Sequence, residues 1–219
     1  MSHRPFKNKL YAEFARVGTA LASDKRLELL DLLAQGPRYV DALAAEIEMS
    51  VANVSQHLQV LRNAKLVESA REGTRVLYRL SDDTVLKLWL DLRAVAEQHL
   101  PEVGLLRRQY TIEGLDDEMA RSALEPILAS GDIVLIDVRP AIEFRAGHIS
   151  GALSISVEEL PQRLATLPKD KKIVAYCRGE YCLFADEAVA LLVQNGFDAV
   201  RLEGGWPEWR AEGRPKDDS

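Results

Sequence analysis

The stretch Lys172-Ile173-Val174-Ala175-Tyr176-Cys177-Arg178-Gly179-Glu180-Tyr181-Cys182 constrains this chain more than any other. Ile173 to Tyr176 are apolar and partly β-branched, as in a strand buried on both faces. From Leu183 onward, Phe184, Ala188, Leu191 and Leu192 repeat at helical spacing. The chain therefore delivers Cys177 into a tight, glycine-containing loop between a strand and a helix. Backbone N–H groups converge at such a turn, and the helix dipole favours an anion there. That geometry lowers a thiol pKa and makes the thiolate a nucleophile. The plainer alternative is a cysteine acting as a small buried hydrophobe, inert by burial.

Residues upstream and downstream favour the chemical reading. Ile133 to Val138 form a second buried-strand pattern that runs into Asp137-Val138-Arg139-Pro140, then Glu143-Phe144 and Gly147-His148-Ile149-Ser150-Gly151-Ala152. Leu202-Glu203-Gly204-Gly205-Trp206 follows near the end, with Trp209 close behind. In this order, the set resembles the rhodanese (sulfurtransferase) domain over about residues 118 to 212. The resemblance implies a small α/β domain with a central parallel sheet. Its active cysteine matches Cys177, and its amide cradle matches the backbone of Arg178, Gly179, Glu180, Tyr181 and Cys182.

A rhodanese thiolate takes sulfane sulfur from a donor, holds it as a persulfide and passes it on. Backbone amides stabilise the partly negative outer sulfur as an oxyanion hole stabilises oxygen. Gly179 permits the turn that aims those amides inward. Arg178 adds a cation, and Glu180 opposes anionic donors at the rim. Many rhodaneses carry a basic residue five positions after the cysteine, which binds thiosulfate; here that position is Cys182. Two readings of Cys182 stand side by side: a resolving thiol that closes a disulfide or sulfur bridge with Cys177, and the first buried residue of the helix. A Cys-x5-Arg phosphatase loop is excluded, because Leu183 occupies the arginine position.

The chain of 219 residues is long enough for two ordinary domains, and we place the boundary at 1–110 and 111–219, with a polar junction from Tyr110 to Asp117. No apolar run approaches the ~18 residues of a membrane span. The first residues lack the apolar core of a signal peptide, and both cysteines lie in one loop, so a cytoplasmic location is expected. Residues 1–110 carry 16 Lys and Arg against 14 Asp and Glu, while residues 111–219 carry 12 against 20. That asymmetry suits a nucleic-acid-facing half joined to an acidic one.

In the first half, Ser23 caps a helix with Leu27, Leu30 and Leu33 on its buried face, and Gly36-Pro37 ends it. A second short helix turns Leu43 and Ile47 inward. After Met49, Ser50 caps a third, with Val51, Val54, Leu58 and Leu61 as its apolar face. Two alternating strands around Glu72-Gly73 form a hairpin wing. Ser55-Gln56-His57-Leu58 with Val60 through Val67 resembles the recognition helix of the ArsR family of winged-helix repressors, over about residues 10 to 100. The fold class is thus a mainly α winged helix-turn-helix followed by an α/β rhodanese-like domain. Asn53, Ser55, Gln56 and His57, with Ser50 at the cap, are placed to read base edges or hold phosphates. Arg71, Thr74 and Arg75 are placed at the wing for phosphate or minor-groove contact, though Arg71 and Arg75 also fit a solvated hairpin edge.

ArsR proteins are dimers, and two apolar stripes suit an interface: Leu10, Phe14 and Val17, and Leu88, Trp89, Leu92, Val95 and Ala96. A dimer predicts a palindromic double-stranded DNA operator. The family's metal-sensing ligands are missing: Val40 to Leu43 contain no cysteine, and Arg93 stands where a histidine is expected. No metal and no cofactor are called for. The combined expectation is a dimeric repressor in which Cys177 responds to a sulfane-sulfur donor such as thiosulfate or polysulfide, or to oxidants. The alternative is a sulfurtransferase that uses the winged helix for dimerisation or localisation.

Overall fold

Leucine spacing sets the first core. In the computed structural model, which describes residues 3–110, 112 and 118–217, α1 (Arg4–Leu21) and α2 (Asp24–Ala34) precede a short β1 (Arg38–Tyr39). Then come α3 (Val40–Glu46), α4 (Val51–Asn63), β2 (Val67–Glu72), β3 (Arg75–Leu80) and α5 (Asp83–His99). Leu29, Leu30, Leu33, Leu43, Leu58, Leu61 and Leu86 lie in a core closed by Val67, Tyr78 and Leu80 of the sheet. The sheet has the order β1-β3-β2 and is antiparallel throughout. β2 and β3 form the wing, with Glu72 opposite Arg75 across a turn that needs Gly73 at φ 61°.

Two compact units divide the chain, Met1–Asp91 and Leu92–Ser219. The one continuous helix α5 contributes residues to each. The junction expected from Tyr110 to Asp117 rests largely on residues 111 and 113–117, which lie outside the described residues. Beyond α5 come α6 (Pro101–Tyr110), β4 (Glu118–Met119), α7 (Arg121–Ser130), β5 (Ile133–Asp137) and α8 (Ala141–Ala146). They are followed by β6 (His148–Ile149), β7 (Leu153–Ser154), α9 (Leu160–Arg163) and β8 (Lys172–Cys177). The chain closes with α10 (Phe184–Gln194), β9 (Ala199–Gly205), α11 (Trp206–Ala211) and β10 (Lys216–Asp217).

The second unit is built on a five-stranded parallel sheet of order β4-β9-β8-β5-β7. β8 lies in the middle, and for that reason Ile173 to Cys177 are all fully buried. One face packs Ile173, Ala175 and Cys177 against Ala188, Val189 and Leu192 of α10. The other packs Val174 and Tyr176 against Leu124, Trp206 and Trp209. The alternation is the strand period of two made visible. Among the described residues, no helix is long and apolar enough to cross a membrane.

A buried ion pair fixes the end of β5. Arg139 folds back so that Nε lies 2.9 Å and 3.1 Å from the Asp137 carboxylate oxygens, and Nη2 donates to the Gly147 carbonyl at 2.9 Å. Both side chains are fully buried. The guanidinium also sits 5.3 Å from the Trp206 ring centroid and 5.7 Å from that of Tyr176. Asp137→Ala strands that guanidinium out of water, at an expected cost of about 3–5 kcal/mol. The check is the urea midpoint followed by tryptophan emission; an unchanged midpoint would show that the pair contributes nothing.

Candidate functional site

The loop between β8 and α10 depends on two glycines. Gly179 has φ 131°, in the region that L side chains rarely adopt, and it also lies beneath the Glu208 carboxylate. Gly205, at the end of β9, approaches so closely that a Cβ there would stand 2.4 Å from both the Cys177 carbonyl oxygen and the Gly179 amide nitrogen. The sequence motif around Gly204-Gly205-Trp206 is therefore part of the cysteine site. Its glycine makes room for the loop.

Cys177 is fully buried and Cys182 is partly exposed. Cys177 Sγ lies 3.3 Å from the carbonyl oxygen of Cys182 and 3.7 Å from that of Gly179. Burial pushes the Cys177 thiol well above the ordinary range, and its hydrogen bond to the Cys182 side chain adds to this; the amides of Ala185 and Gly179 act in the opposite direction. Cys182 is lowered, first by the hydrogen bond it receives from Cys177, then by the amides of Arg178 and Phe184. Amides reach both sulfurs, from Gly179 and Ala185 at Cys177 and from Arg178 and Phe184 at Cys182. The expected lowering at Cys177 is absent: desolvation outweighs those amides there, and of the two thiols only Cys182 is shifted toward the thiolate.

Each arginine around the loop meets at least one carboxylate. Arg178 Nε lies 2.9 Å and 3.1 Å from the two carboxylate oxygens of Glu143, which is itself buried. Arg178 therefore pairs with Glu143 of α8. Glu180 pairs with Arg107 of α6. Arg93 of α5 pairs with Glu208 at 3.1 Å and lies 5.0 Å from the Tyr181 ring centroid. Arg201 and Asp186 form a further buried pair at 2.9 Å. Glu143, Arg93, Arg107, Glu208 and Gly205 escaped the sequence reading as site residues. Only the Glu143-Phe144 and Gly204-Gly205-Trp206 motifs carried a trace of them.

In the first unit, Ser50 caps α4, its Oγ accepting from the Asn53 amide at 3.3 Å. Val54, Leu58 and Leu61 face the core as expected, but Val51 is 47% exposed, because it opens the helix on the side away from the core. Asn53 and Gln56 stand exposed on the polar side, with Ser55 and His57 half-buried. The Ser55 hydroxyl donates to the Val51 carbonyl at 2.7 Å, within its own helix. At the wing, Arg71 and Thr74 are exposed, and Arg71 Nε donates to the Gly73 carbonyl at 3.2 Å. Arg75 binds both oxygens of Asp41, at 3.0 Å and 2.9 Å, and stacks on Tyr39 at 3.7 Å. Its charge is already shared in this arrangement. Among the described residues, no group of three or more His, Cys, Asp or Glu side chains has a metal-holding arrangement.

The comparisons with known proteins divide along the same lines. A model described as bacterial regulatory protein, arsR family, matches residues 23–69, and one for the rhodanese-like domain matches residues 120–212. The chain is 42% identical over 212 residues to HTH-type transcriptional regulator Rv0324 of Mycobacterium tuberculosis (strain ATCC 25618 / H37Rv), covering 97% of this chain and 93% of that protein. It is 36% identical over 105 residues to YtwF of Bacillus subtilis (strain 168), a protein provisionally designated a sulfurtransferase, covering 45% of this chain and 95% of that one. A solution structure of the homodimeric winged helix-turn-helix DNA-binding domain (fragment 1–100) of Mb0332 from Mycobacterium bovis is 45% identical, with a TM-score of 0.43, covering 46% of this chain and 91% of that one.

The two thiols are expected to react in a fixed order. Near neutral pH, iodoacetamide should label Cys182 of the folded, reduced protein well before Cys177, with the Cys182 rate still rising as pH climbs through its lowered pKa. Peptide mass spectrometry reads both sites, and equal labelling would contradict the assignment of the thiolate to Cys182.

Proposed function

Because the chain belongs to the arsR family of bacterial regulatory proteins and carries a rhodanese-like domain behind its winged helix, we propose that it is a DNA-binding repressor whose Cys177 accepts sulfane sulfur. The observation that carries this reading is a pair of adjacent thiols met by the amides of Gly179, Ala185, Arg178 and Phe184, in one chain with a capped helix that exposes Asn53 and Gln56. We assign DNA binding and dimerisation to residues 1–110 and sulfur chemistry to residues 111–219.

The sulfur step balances without a cofactor. The Cys177 thiolate attacks the outer sulfur of a polysulfide or hydropersulfide; the donor S–S bond breaks and its electron pair leaves on the remaining sulfur. Cys177 then holds a persulfide. The Cys182 thiolate attacks the inner sulfur of that persulfide, closing a Cys177–Cys182 disulfide and releasing hydrosulfide. Lifting the proton from Cys177 requires that its buried site open or that Cys182 take the proton. The hydrogen bond between the two thiols supplies the second route.

Dimerisation is supported by apolar surface left uncovered in one chain. Phe6, Tyr11 and Phe14 of α1 and Val95 of α5 are exposed. Val17, Leu88 and Trp89 pack instead on the core of their own unit, and Trp89 Nε1 donates to Asp31 at 2.9 Å. The interface we propose is therefore narrower than the full stripes. It would set two copies of α4 about 34–36 Å apart on a palindromic operator.

Coupling is supported by α5 and α6. Arg93 and Arg107 hold Glu208, Tyr181 and Glu180, so a change in the cysteine loop alters the partners of both helices. The competing reading, a sulfurtransferase that uses its winged helix only to dimerise or localise, draws on the likeness to YtwF.

DNA affinity at fixed salt, for the fragment upstream of its own gene, separates the two. Polysulfide should shift the affinity of the reduced protein, and Cys177→Ser should abolish that shift while leaving basal binding intact. Binding indifferent to polysulfide, with sulfur transfer retained, would favour the enzyme. Asn53→Ala and Gln56→Ala should each weaken operator binding by about 1–3 kcal/mol if they read bases; equal loss on unrelated DNA would make them phosphate contacts instead.

A further inference from the structure

Beside the cysteine loop, within the second unit, lies a cavity of about 280 Å³. Val103, Leu106 and Tyr110 of α6 form one wall, and Tyr181 and Leu183 form the other. Tyr181 and Leu183 flank Cys182, the partly exposed thiol. The volume falls just below the roughly 300–1,000 Å³ usual for small-molecule sites, so a small occupant fits.

The charged groups at the cavity define what that occupant can be. Arg107 pairs with Glu180 and, at 3.4 Å, with Glu118. Arg201 pairs with Asp186 at 2.9 Å and with Glu118 at 3.2 Å. Two guanidiniums thus meet three carboxylates. An incoming dianion such as thiosulfate finds repulsion here where it needs a cation, and Cys182 stands where a basic residue would have helped it. An uncharged apolar body finds Leu106, Tyr110 and Tyr181, all substantially exposed to solvent.

We propose that this cavity receives the carbon body of a small apolar hydropersulfide, R–S–SH, and that α6, together with the cysteine loop, selects the sulfur donor. The inference rests on the sulfur-accepting reading of the loop given above. With R seated against Leu106, a loop thiolate attacks the outer sulfur of the donor. The S–S bond breaks, R–S⁻ leaves with the electron pair and takes a proton from water, and the loop keeps the persulfide. Because α6 follows directly on α5, the helix that chooses the donor is continuous in sequence with the helix that leads to the winged domain.

The test uses the full-length reduced protein with equal concentrations of benzyl hydropersulfide or thiosulfate. Mass spectrometry follows the sulfur added to the peptide containing Cys177 and Cys182. Benzyl hydropersulfide should load the loop about tenfold faster or more, and Leu106→Glu should remove most of that advantage by slowing benzyl hydropersulfide severalfold more than it slows thiosulfate, whose dianion the added carboxylate also repels; Leu106→Met should keep it. Thiosulfate loading as fast as benzyl hydropersulfide, or Leu106→Glu slowing both donors equally, would overturn the proposal and leave the sulfur-accepting reading standing. If neither donor loads the loop, that reading falls and the proposal falls with it. A Leu106→Glu protein that changes oligomeric size but keeps its donor preference would assign the apolar patch to contact between copies of the chain, and the proposal would again fail.

Discussion

A guanidinium leaves water only when it is met by a carboxylate and further acceptors, and the second unit is organised around that requirement. Arg139 is fully buried against Asp137, the Gly147 carbonyl and the rings of Tyr176 and Trp206. One side chain thereby ties the end of β5 to the start of β6, to β8 and to α11. Tyr176, immediately before Cys177, accepts a hydrogen bond from the Ile149 amide at 3.1 Å, so the same cluster fixes the strand that carries this cysteine. A second link runs from α8, where Glu143 holds Arg178 just beyond that cysteine. The loop is held from both sides by buried charge pairs.

Such a setting governs the chemistry. A thiol without solvent pays the cost of desolvation when it ionises, and only converging amides and a second sulfur offset it. Cys177 is accordingly held toward its neutral thiol by burial, while the hydrogen bond from Cys177 and nearby amides shift Cys182 toward the thiolate. Amides aimed at a sulfur that has yet to become negative are preorganised for the charged state, as in an oxyanion site. The paired arginines leave little long-range attraction for anions at the loop.

In the winged domain the same economy of polar groups applies at a smaller scale. Ser50 closes the start of α4, Ser55 bonds back within it, and Arg75 is taken up by Asp41 and Tyr39. This leaves Asn53 and Gln56 as the exposed polar groups of the helix start, and Arg71 and Thr74 as the exposed wing residues. The proposed phosphate contact of Arg75 at the wing would require it to release Asp41 or share it. Asp41 has its carboxyl lowered by that hydrogen bond, so the exchange is one of partner and leaves the protonation state unchanged.

Local periodicity and turn chemistry were legible in the sequence because they are set by neighbours along the chain. The buried run Ile173 to Tyr176, the cap at Ser50, the hairpin at Gly73 and the α10 stripe all follow from spacing alone. The cysteine loop was legible for the same reason. Pairing across the fold was not: Glu143 with Arg178, Arg93 with Glu208 and Arg107 with Glu180 join residues 35, 115 and 73 positions apart. A charge in a sequence carries no address for its partner, and nothing beside Arg178 in the chain points to Glu143. The direction of the Cys177 pKa was decided in the same way, since burial at the centre of a sheet is a property of strand order. The sequence by itself determined which elements form and where the thiols stand in the chain; the tertiary structure alone decided in which direction each thiol's pKa moves, because desolvation and charge pairing depend on distance in space.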